Sequence, residues 1–237
     1  MSWAGGVFGF LRSGEVGQFE LVQKSIALSS NIAYCLTMPA KRPASTTLTG
    51  THVRLEPLSR DHLQELFLAG GRDEEVWRWL TVTAPQSEEE LGELLDGRLA
   101  EVEAGVAVAF AVIDLSTGMP VGWTTFLDIA PFDERLEIGW TWYARSVWRT
   151  AVNTESKLLL LTHAFEDLGM GRVQWKTDHL NTRSQNAIAR LGAQREGVLR
   201  RHRLRADGSW RDSVYFSMLV DEWPEAKARL ANRLLEG

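Results

Sequence analysis

One stretch of the chain, residues 135–168, joins a strand pattern to a helix pattern through a short polar loop, and it constrains the fold more than any other segment. Residues 135–143 are rich in aromatic and β-branched side chains, which favour a strand. Residues 149–153 form the loop, and Asn153 or Thr154 can cap the helix that follows. Such a loop points free backbone N–H groups and the positive end of a helix at one spot, which suits a phosphate. Most junctions of this kind bind nothing, so the phosphate site is a hypothesis that needs further support.

A carboxylate lies in the middle of the strand. Strict alternation separates two sets of side chains, namely Glu137, Gly139, Thr141 and Tyr143 on one face and Ile138, Trp140 and Trp142 on the other. Glu137 has apolar neighbours along the strand, where a carboxylate is costly unless it is paired or used in chemistry. Glu137 is therefore a candidate general base, and the alternative is an ion pair with an arginine of a neighbouring strand.

Composition excludes several classes of protein. The 237 residues suit one domain, or one domain with an appendage, and 44% apolar residues are enough for a full core. The net charge of −5 does not indicate a general nucleic-acid partner. The single cysteine, Cys35, excludes a disulfide within the chain and fits a reducing cytoplasm. No apolar run approaches the ~20 residues that span a bilayer, so we expect no membrane partner.

The first 47 residues do not follow the regular patterns of the rest of the chain. They lack the basic start and unbroken apolar core of a secretory signal, and residues 39–47 (PAKRPASTT) are typical of a linker. We expect residues 1–47 to be a poorly ordered extension and linker, and residues 48–237 to form a single domain. For residues 1–37 the alternatives are translation from a start upstream of the natural one and a tether to a membrane or a partner.

From residue 48 onward the patterns predict a strand, three helices, a three-stranded meander, a helix, a strand, a helix, a β-hairpin and a last helix. Because a helix separates strand 135–143 from strand 173–177, these two should lie parallel through a right-handed crossover. We therefore predict an α+β fold with a mixed, mostly antiparallel sheet of about seven strands, a central parallel pair and flanking helices.

Four segments in this order carry a family resemblance. They are LEIGWTW at 136–142, RTAVNTESKLLLLTHAFE at 149–166, KTDHLNTRSQNAIARLGA at 176–193, and REGVLRRH with DGSWRDSVYFSML within 195–219. With them the chain resembles the GNAT superfamily of acyl-CoA-dependent N-acetyltransferases, and within it the RimJ/RimL-like branch, over roughly residues 48–223.

The resemblance implies a GNAT-like sheet whose parallel strands part, so that the pantetheine arm of acetyl-CoA lies between them. The family's pyrophosphate loop, Gln/Arg-x-x-Gly-x-Gly/Ala, matches Trp148, Ala151 and Asn153, so both glycines are replaced. Backbone N–H groups make the contacts in such a loop, so alanine and asparagine need only adopt its backbone conformation. The cofactor contacts implied by the resemblance are Thr141, Trp142, Tyr143, Arg149, Thr150, Ala151, Val152, Asn153, Thr154 and Asn181.

Ser184 is the candidate donor of a proton to the leaving thiolate, since helical spacing puts its hydroxyl on the inward stripe with Ile188 and Leu191. Many members of the superfamily use a tyrosine at the position of Ile188. The alternatives are that Ser184 is a core serine bonded to the preceding turn and that Asn181 is only a helix cap. A position that is acidic in RimL-like members is Arg203 here, so that branch's base does not transfer directly.

Basic residues crowd the last two predicted strands, namely Arg195, Arg200, Arg201, His202, Arg203, Arg205 and Arg211. Alternation makes most of them a solvated surface. The alternatives are an acidic substrate and a contact with the adenosine 3′-phosphate of the cofactor. No spacing of His, Asp or Glu predicts a metal site.

We predict an acetyl-CoA-dependent N-acetyltransferase that needs no metal and acts by direct attack of a primary amine in a ternary complex. The acceptor is a protein N-terminal α-amine of the ribosomal-protein type, or else a small aminoacyl compound or antibiotic. A non-catalytic CoA-binding module is a further alternative. We expect a cytoplasmic monomer or homodimer that has an amine-bearing peptide or small molecule as its partner and no direct nucleic-acid partner.

Overall fold

An eight-stranded sheet runs through residues 40–236, which are the residues that the computed structural model describes. The strands are β1 (Leu48–Thr49), β2 (Val53–Pro57), β3 (Val108–Asp114), β4 (Met119–Ala130), β5 (Arg135–Tyr143), β6 (Arg172–Asp178), β7 (Gln194–Leu204) and β8 (Trp210–Leu219). Their order across the sheet is β1-β2-β3-β4-β5-β6-β8-β7, and of these strands only β5 and β6 pair in parallel. The predicted mixed, mostly antiparallel sheet with a central parallel pair is therefore confirmed. The additional strand is the two-residue β1, which is too short to produce a sequence pattern.

Helices cover both faces of the sheet, and a different set of helices packs on each face. They are α1 (Leu63–Leu66), α2 (Glu74–Trp77), α3 (Glu88–Glu103), α4 (Ala151–Thr162), α5 (Thr182–Leu191) and α6 (Trp223–Glu236). α4, α5 and α6 contribute to one buried cluster through Leu160, Ile188 and Leu230. α1, α2 and α3 form a second cluster over β3, β4 and β5, in which the ring centroids of Trp77 and Trp142 lie 5.2 Å apart. The two clusters define an α4 face and an α3 face of the sheet.

The parallel strands part soon after they meet. β5 and β6 are in register at three positions only, and the last of these is Glu137 opposite Gln174. Residues 138–143 of β5 stay paired with β4 on their other side. The edge of β5 that faces β6 is therefore unpaired over these residues within the described chain, as the resemblance implies.

A bulge in β5 overturns part of the predicted face assignment. Trp140 has φ of 45°, and the register with β4 shifts between Trp123 and Thr125. A bulge adds one residue to a strand, so the side chains beyond it change faces. Thr141 consequently points to the α4 face, where its hydroxyl lies 3.3 Å from the Lys157 ammonium, whereas Glu137 stays on the α3 face. The prediction that Glu137 shares a face with Thr141 and Tyr143 is wrong for this reason.

The predicted extension lies mainly outside the described residues. Within the predicted linker, Ala40 and Pro43 are buried, and the Lys41 N–H donates to the Leu168 carbonyl at 2.8 Å. The boundary between residues 47 and 48 stays a prediction. Among residues 40–236, no helix combines the length and the apolar character needed to cross a membrane.

Candidate active site

The N-terminus of α4 is set by Thr150. Its backbone is extended, its hydroxyl accepts a hydrogen bond from the Val152 N–H at 3.3 Å, and the same hydroxyl donates to the Val147 carbonyl at 2.8 Å. A side-chain oxygen that bonds the N–H two residues later is the usual N-cap of a helix. The helix therefore begins at Ala151, and the prediction that Asn153 or Thr154 caps it is wrong by about one turn.

This earlier start changes the predicted phosphate loop. Ala151, Val152 and Asn153 form the first turn of α4 instead of a loop, and Thr154 is a buried residue of the same helix. The first N–H groups of a helix have no partner within the helix, so they remain available to an anion. The residue in the left-handed region is Arg149, with φ of 66°. Replacement of the family's two glycines by alanine and asparagine therefore places no strain on the backbone here.

The loop before α4 contacts both β5 and α5. The indole Nε1 of Trp148 donates to the Tyr143 carbonyl at 2.9 Å, and the Arg183 guanidinium lies 3.8 Å from the centroid of the same indole. Trp142 is buried against the α3 face. The fold thus brings the end of β5, the N-terminus of α4 and the first turn of α5 together around the parted strands.

Asn181 caps α5, because its Oδ1 accepts the Ser184 N–H at 3.0 Å. Ser184 is half-buried one turn before Ile188, which is buried in the core. Within the described residues, the Ser184 hydroxyl shares no hydrogen bond with Glu137. The structure therefore shows Asn181 as the cap of α5. Ser184 lies on the same side of the helix as Ile188, and its role as a proton donor stays a prediction.

Glu137 is 6% exposed, and its carboxylate lies 2.5 Å from the ammonium of Lys176 on β6. Burial raises the pKa of Glu137, although the bond to Lys176 opposes this rise. Burial by itself would lower the pKa of Lys176, but Glu137 outweighs that effect, so this pKa is raised. The predicted alternative partner was an arginine; the actual partner is a lysine that reaches across the point where the strands part.

Sequence reasoning missed a buried lysine on the α4 face. Lys157 of α4 is 6% exposed, and its ammonium lies 3.4 Å from the Thr124 hydroxyl and 3.3 Å from the Thr141 hydroxyl. Burial lowers the pKa of Lys157 to about 7. The available signal was helical spacing, because Lys157 lies three residues after Thr154 and four before Leu161, which are both buried.

No group of three or more His, Cys, Asp and Glu residues that could hold a metal ion occurs within residues 40–236. The arrangement around the parted strands instead offers backbone N–H groups, a buried carboxylate and a hydroxyl. These groups can bind a phosphate, accept a proton and donate a proton respectively.

Comparison with known proteins gives consistent similarities. A family model described as an acetyltransferase (GNAT) domain matches residues 52–194. The Bacillus subtilis (strain 168) protein named "Putative ribosomal N-acetyltransferase YdaF" is 28% identical over 181 residues, which are 73% of this chain and 92% of that protein. A solved GCN5-related N-acetyltransferase from Brucella melitensis has a TM-score of 0.79 and 31% identity, over 84% of this chain and 90% of that chain. A solved structure from T. thermophilus, named as a "putative acetyltransferase", has a TM-score of 0.72 and 42% identity, over 81% and 97% of the two chains.

Proposed function

We propose a specific reaction for this chain because it belongs to the acetyltransferase (GNAT) domain family, within the RimJ/RimL-like branch. It is an N-acetyltransferase. The proposed reaction transfers the acetyl group of acetyl-CoA to the α-amine of a protein N-terminus, and the amine attacks the thioester directly in a ternary complex. The relative named as a ribosomal N-acetyltransferase supports a ribosomal-protein-like acceptor.

The observation that carries the proposal is the gap between β5 and β6. The two strands pair at three positions and then part, which leaves the edge of residues 138–143 free on one side within the described chain. An extended pantetheine arm fits such an edge as an added strand would. The first turn of α4, capped by Thr150, supplies N–H groups for the diphosphate beside the same gap.

Glu137 is the proposed base. An α-amino group has an ordinary pKa of about 7.7–8.0 and is mostly protonated at neutral pH, so a proton must leave it before attack. Burial raises the pKa of Glu137 and makes its carboxylate a stronger proton acceptor. Lys176 holds that carboxylate in an ion pair and opposes the rise of its pKa. We propose that the acceptor amine approaches from the α3 face, where Glu137 lies, and passes its proton to Glu137 through a water.

Ser184 is the proposed donor to the leaving thiolate. Its hydroxyl lies in the first turn of α5, whose cap, Asn181, is also a proposed cofactor contact. The further proposed contacts are the backbone groups of Thr141, Trp142 and Tyr143 and residues 149–154. Thr141 and Tyr143 contribute through their backbone only, because their side chains point to the α4 face. We also retain a cytoplasmic location and a monomeric or homodimeric state as predictions.

Titration calorimetry and a thiol-release assay test the proposal on the full chain. We expect acetyl-CoA to bind with micromolar affinity and CoA to be released when peptides with free N-termini are added. Release with small aminoacyl compounds but with no peptide would contradict the proposed acceptor. Binding of acetyl-CoA without release against a broad panel of amines would contradict the enzymatic proposal and favour a CoA-binding module.

A further inference from the structure

Two arginines face each other on the sheet surface next to Glu137. Arg203 on β7 and Arg211 on β8 are direct Cα partners, so their side chains are cross-strand neighbours. On β8, Arg211 alternates with core residues of the α4 face such as Val214 and therefore shares the α3 face with Tyr215. The ring of Tyr215 lies 5.4 Å from the Lys176 ammonium, which is bonded to Glu137. We call Arg203 and Arg211 the arginine pair.

The arginine pair lacks a carboxylate of its own. Four carboxylates nearby have another cation as partner, in the pairs Asp178 with Arg205, Glu196 with Arg172, Asp128 with Arg135, and Glu137 with Lys176. The carboxylate of Asp212, next to Arg211 in the chain, accepts the Arg201 N–H instead. Within residues 40–236, neither side chain of the arginine pair makes an ion pair or a hydrogen bond. Like charges that lie directly opposite on two strands destabilise a sheet. Asp178 and Glu137 attract Arg211 from a distance, but each is bonded to another cation, so the guanidinium N–H groups of the arginine pair stay available to an anion from outside.

Three buried polar atoms in and beside the arginine pair are also without partners within the described residues. Arg211 is 9% exposed, and its Nε has no hydrogen-bond partner among the described residues. The Ser213 hydroxyl and the Nδ1 of His202 are likewise buried and unpartnered, and the His202 ring lies 5.8 Å from the ring of Tyr215. Buried polar atoms are nearly always hydrogen-bonded in folded proteins. These three atoms, one of which belongs to the Arg211 guanidinium itself, indicate that a ligand with several polar oxygens completes their bonding.

We propose that the arginine pair binds a carboxylate of the acceptor and selects acceptors whose amine and acidic group lie close together. The inference rests on the proposed function, because it needs the acceptor amine to lie near Glu137. A guanidinium binds a carboxylate through two parallel hydrogen bonds, which gives both affinity and orientation. The carboxylate belongs either to an acidic side chain near a peptide N-terminus or to a free acidic amino acid. Both present the same chemistry to the arginine pair.

A peptide series tests this selection by thiol release from acetyl-CoA with the full chain. The peptides are identical except for the second residue, which is Glu, Gln or Lys, and free glutamate and glutamine form the small-molecule arm. We expect kcat/KM for the Glu peptide to exceed that for the Gln peptide about tenfold, the scale of one added charge-assisted contact. Release with free glutamate but with no peptide would support the arginine pair and contradict the peptide acceptor.

Substitution of Arg203 separates the arginine pair from other causes of selectivity. Arg203 is exposed, so its replacement should leave folding intact. Arg203→Gln should remove most of the preference through a higher KM for the Glu peptide, with little change in kcat. Arg203→Glu should reverse the preference towards the Lys peptide. Arg195→Gln is the matched control, because Arg195 is an exposed arginine of the same strand that lies opposite the core residue Phe216. This variant should behave as the wild type does.

Failure of the inference and failure of the proposed function give different results. Equal rates with the Glu and Gln peptides would overturn the inference and leave the acetyltransferase reaction standing. If no acceptor releases CoA, the proposed function fails, and calorimetry of N-acetylated Glu and Gln peptides against the CoA-loaded protein decides the inference. Tighter binding of the Glu form, lost in Arg203→Gln, would support it. Equal binding, or no binding of either peptide, would overturn it.

Discussion

The ion pair between Glu137 and Lys176 places a candidate general base at the gap between β5 and β6. The carboxylate is buried and bonded at 2.5 Å to the lysine, and the pair bridges β5 and β6 at the position where backbone pairing ends. A carboxylate in such a place is both restrained in position and unusually ready to take up a proton. Substitutions of Glu137 and Lys176 therefore test whether Glu137 acts as the base.

Glu137→Gln should lower kcat by about 10²–10⁴-fold, which is the usual contribution of a general base. The affinity for acetyl-CoA should hardly change, because the glutamine keeps the size of the side chain and the proposed cofactor contacts lie elsewhere. Steady-state thiol release and calorimetry measure the two quantities. Lys176→Met provides a second check: loss of the ammonium should raise the pKa of Glu137 further and move the acidic limb of the rate profile to higher pH. An unaltered kcat in Glu137→Gln would remove this residue from the mechanism.

Lys157 should make stability depend on pH. Its pKa falls from the ordinary 10.5 to about 7 in the folded protein, so between these values the unfolded chain holds a proton that the folded protein has lost. The free energy of unfolding should therefore rise with pH across this window through Lys157. We expect the stability of the wild type relative to Lys157→Met to increase between pH 7 and about pH 10, as measured by urea unfolding. A difference that stays constant with pH would contradict a neutral, buried Lys157.

At the scale of elements, one side chain of α4 makes several hydrogen bonds to the start of the sheet. The buried carboxylate of Glu155 accepts the backbone N–H groups of Thr51, His52 and Val53 at 2.8, 2.6 and 2.7 Å. These bonds join the turn between β1 and β2 to the helix whose first turn is the proposed diphosphate site. The position of that turn therefore depends on a contact about 100 residues away in the sequence.

Glu155→Gln should destabilise the protein by about 2–4 kcal/mol, because it removes a charge that several buried N–H groups share and directs an amide group towards them. Chemical denaturation measures the change. Glu93→Gln on α3 is the matched control, since Glu93 is exposed and its replacement should alter stability by no more than about 0.5 kcal/mol. A similar small effect in both variants would mean that the N–H groups at residues 51–53 find other acceptors.

At the scale of the whole molecule, the start of the predicted linker contacts the described domain. Ala40 belongs to the core cluster of the α4 face, and Lys41 bonds the end of the turn after α4. All residues proposed for the site lie between 137 and 213. We therefore expect residues 40–43 to contribute to stability, although none of them belongs to the proposed site.

Two shortened chains test this boundary. A chain that begins at Met38 should unfold like the full chain and keep its acetyltransferase rate. A chain that begins at Leu48 should be less stable by roughly 1–2 kcal/mol, since it loses the burial of Ala40 and Pro43 and the Lys41 hydrogen bond. Thermal melting and thiol release report both properties. Equal melting of the two shortened chains would place the boundary at residue 48, as the sequence alone suggests.

The sequence by itself determined the kinds and order of the elements, the parallel pair and the family. Periodicity, caps and turn residues act between positions that are close along the chain, so Asn181 as the cap of α5 was predictable from the sequence. The buried state of Glu137 was predictable from its apolar neighbours along the strand for the same reason.

Only the tertiary structure decided which side chains meet. The bulge at Trp140 turned Thr141 away from Glu137, and the register between β7 and β8 set Arg203 opposite Arg211. Lys176 became the partner of Glu137 through the parallel pairing of β5 with β6. Register and bulges depend on contacts between segments that are distant along the chain, and one added residue in a strand reverses every face assignment after it. Local patterns do not contain that information.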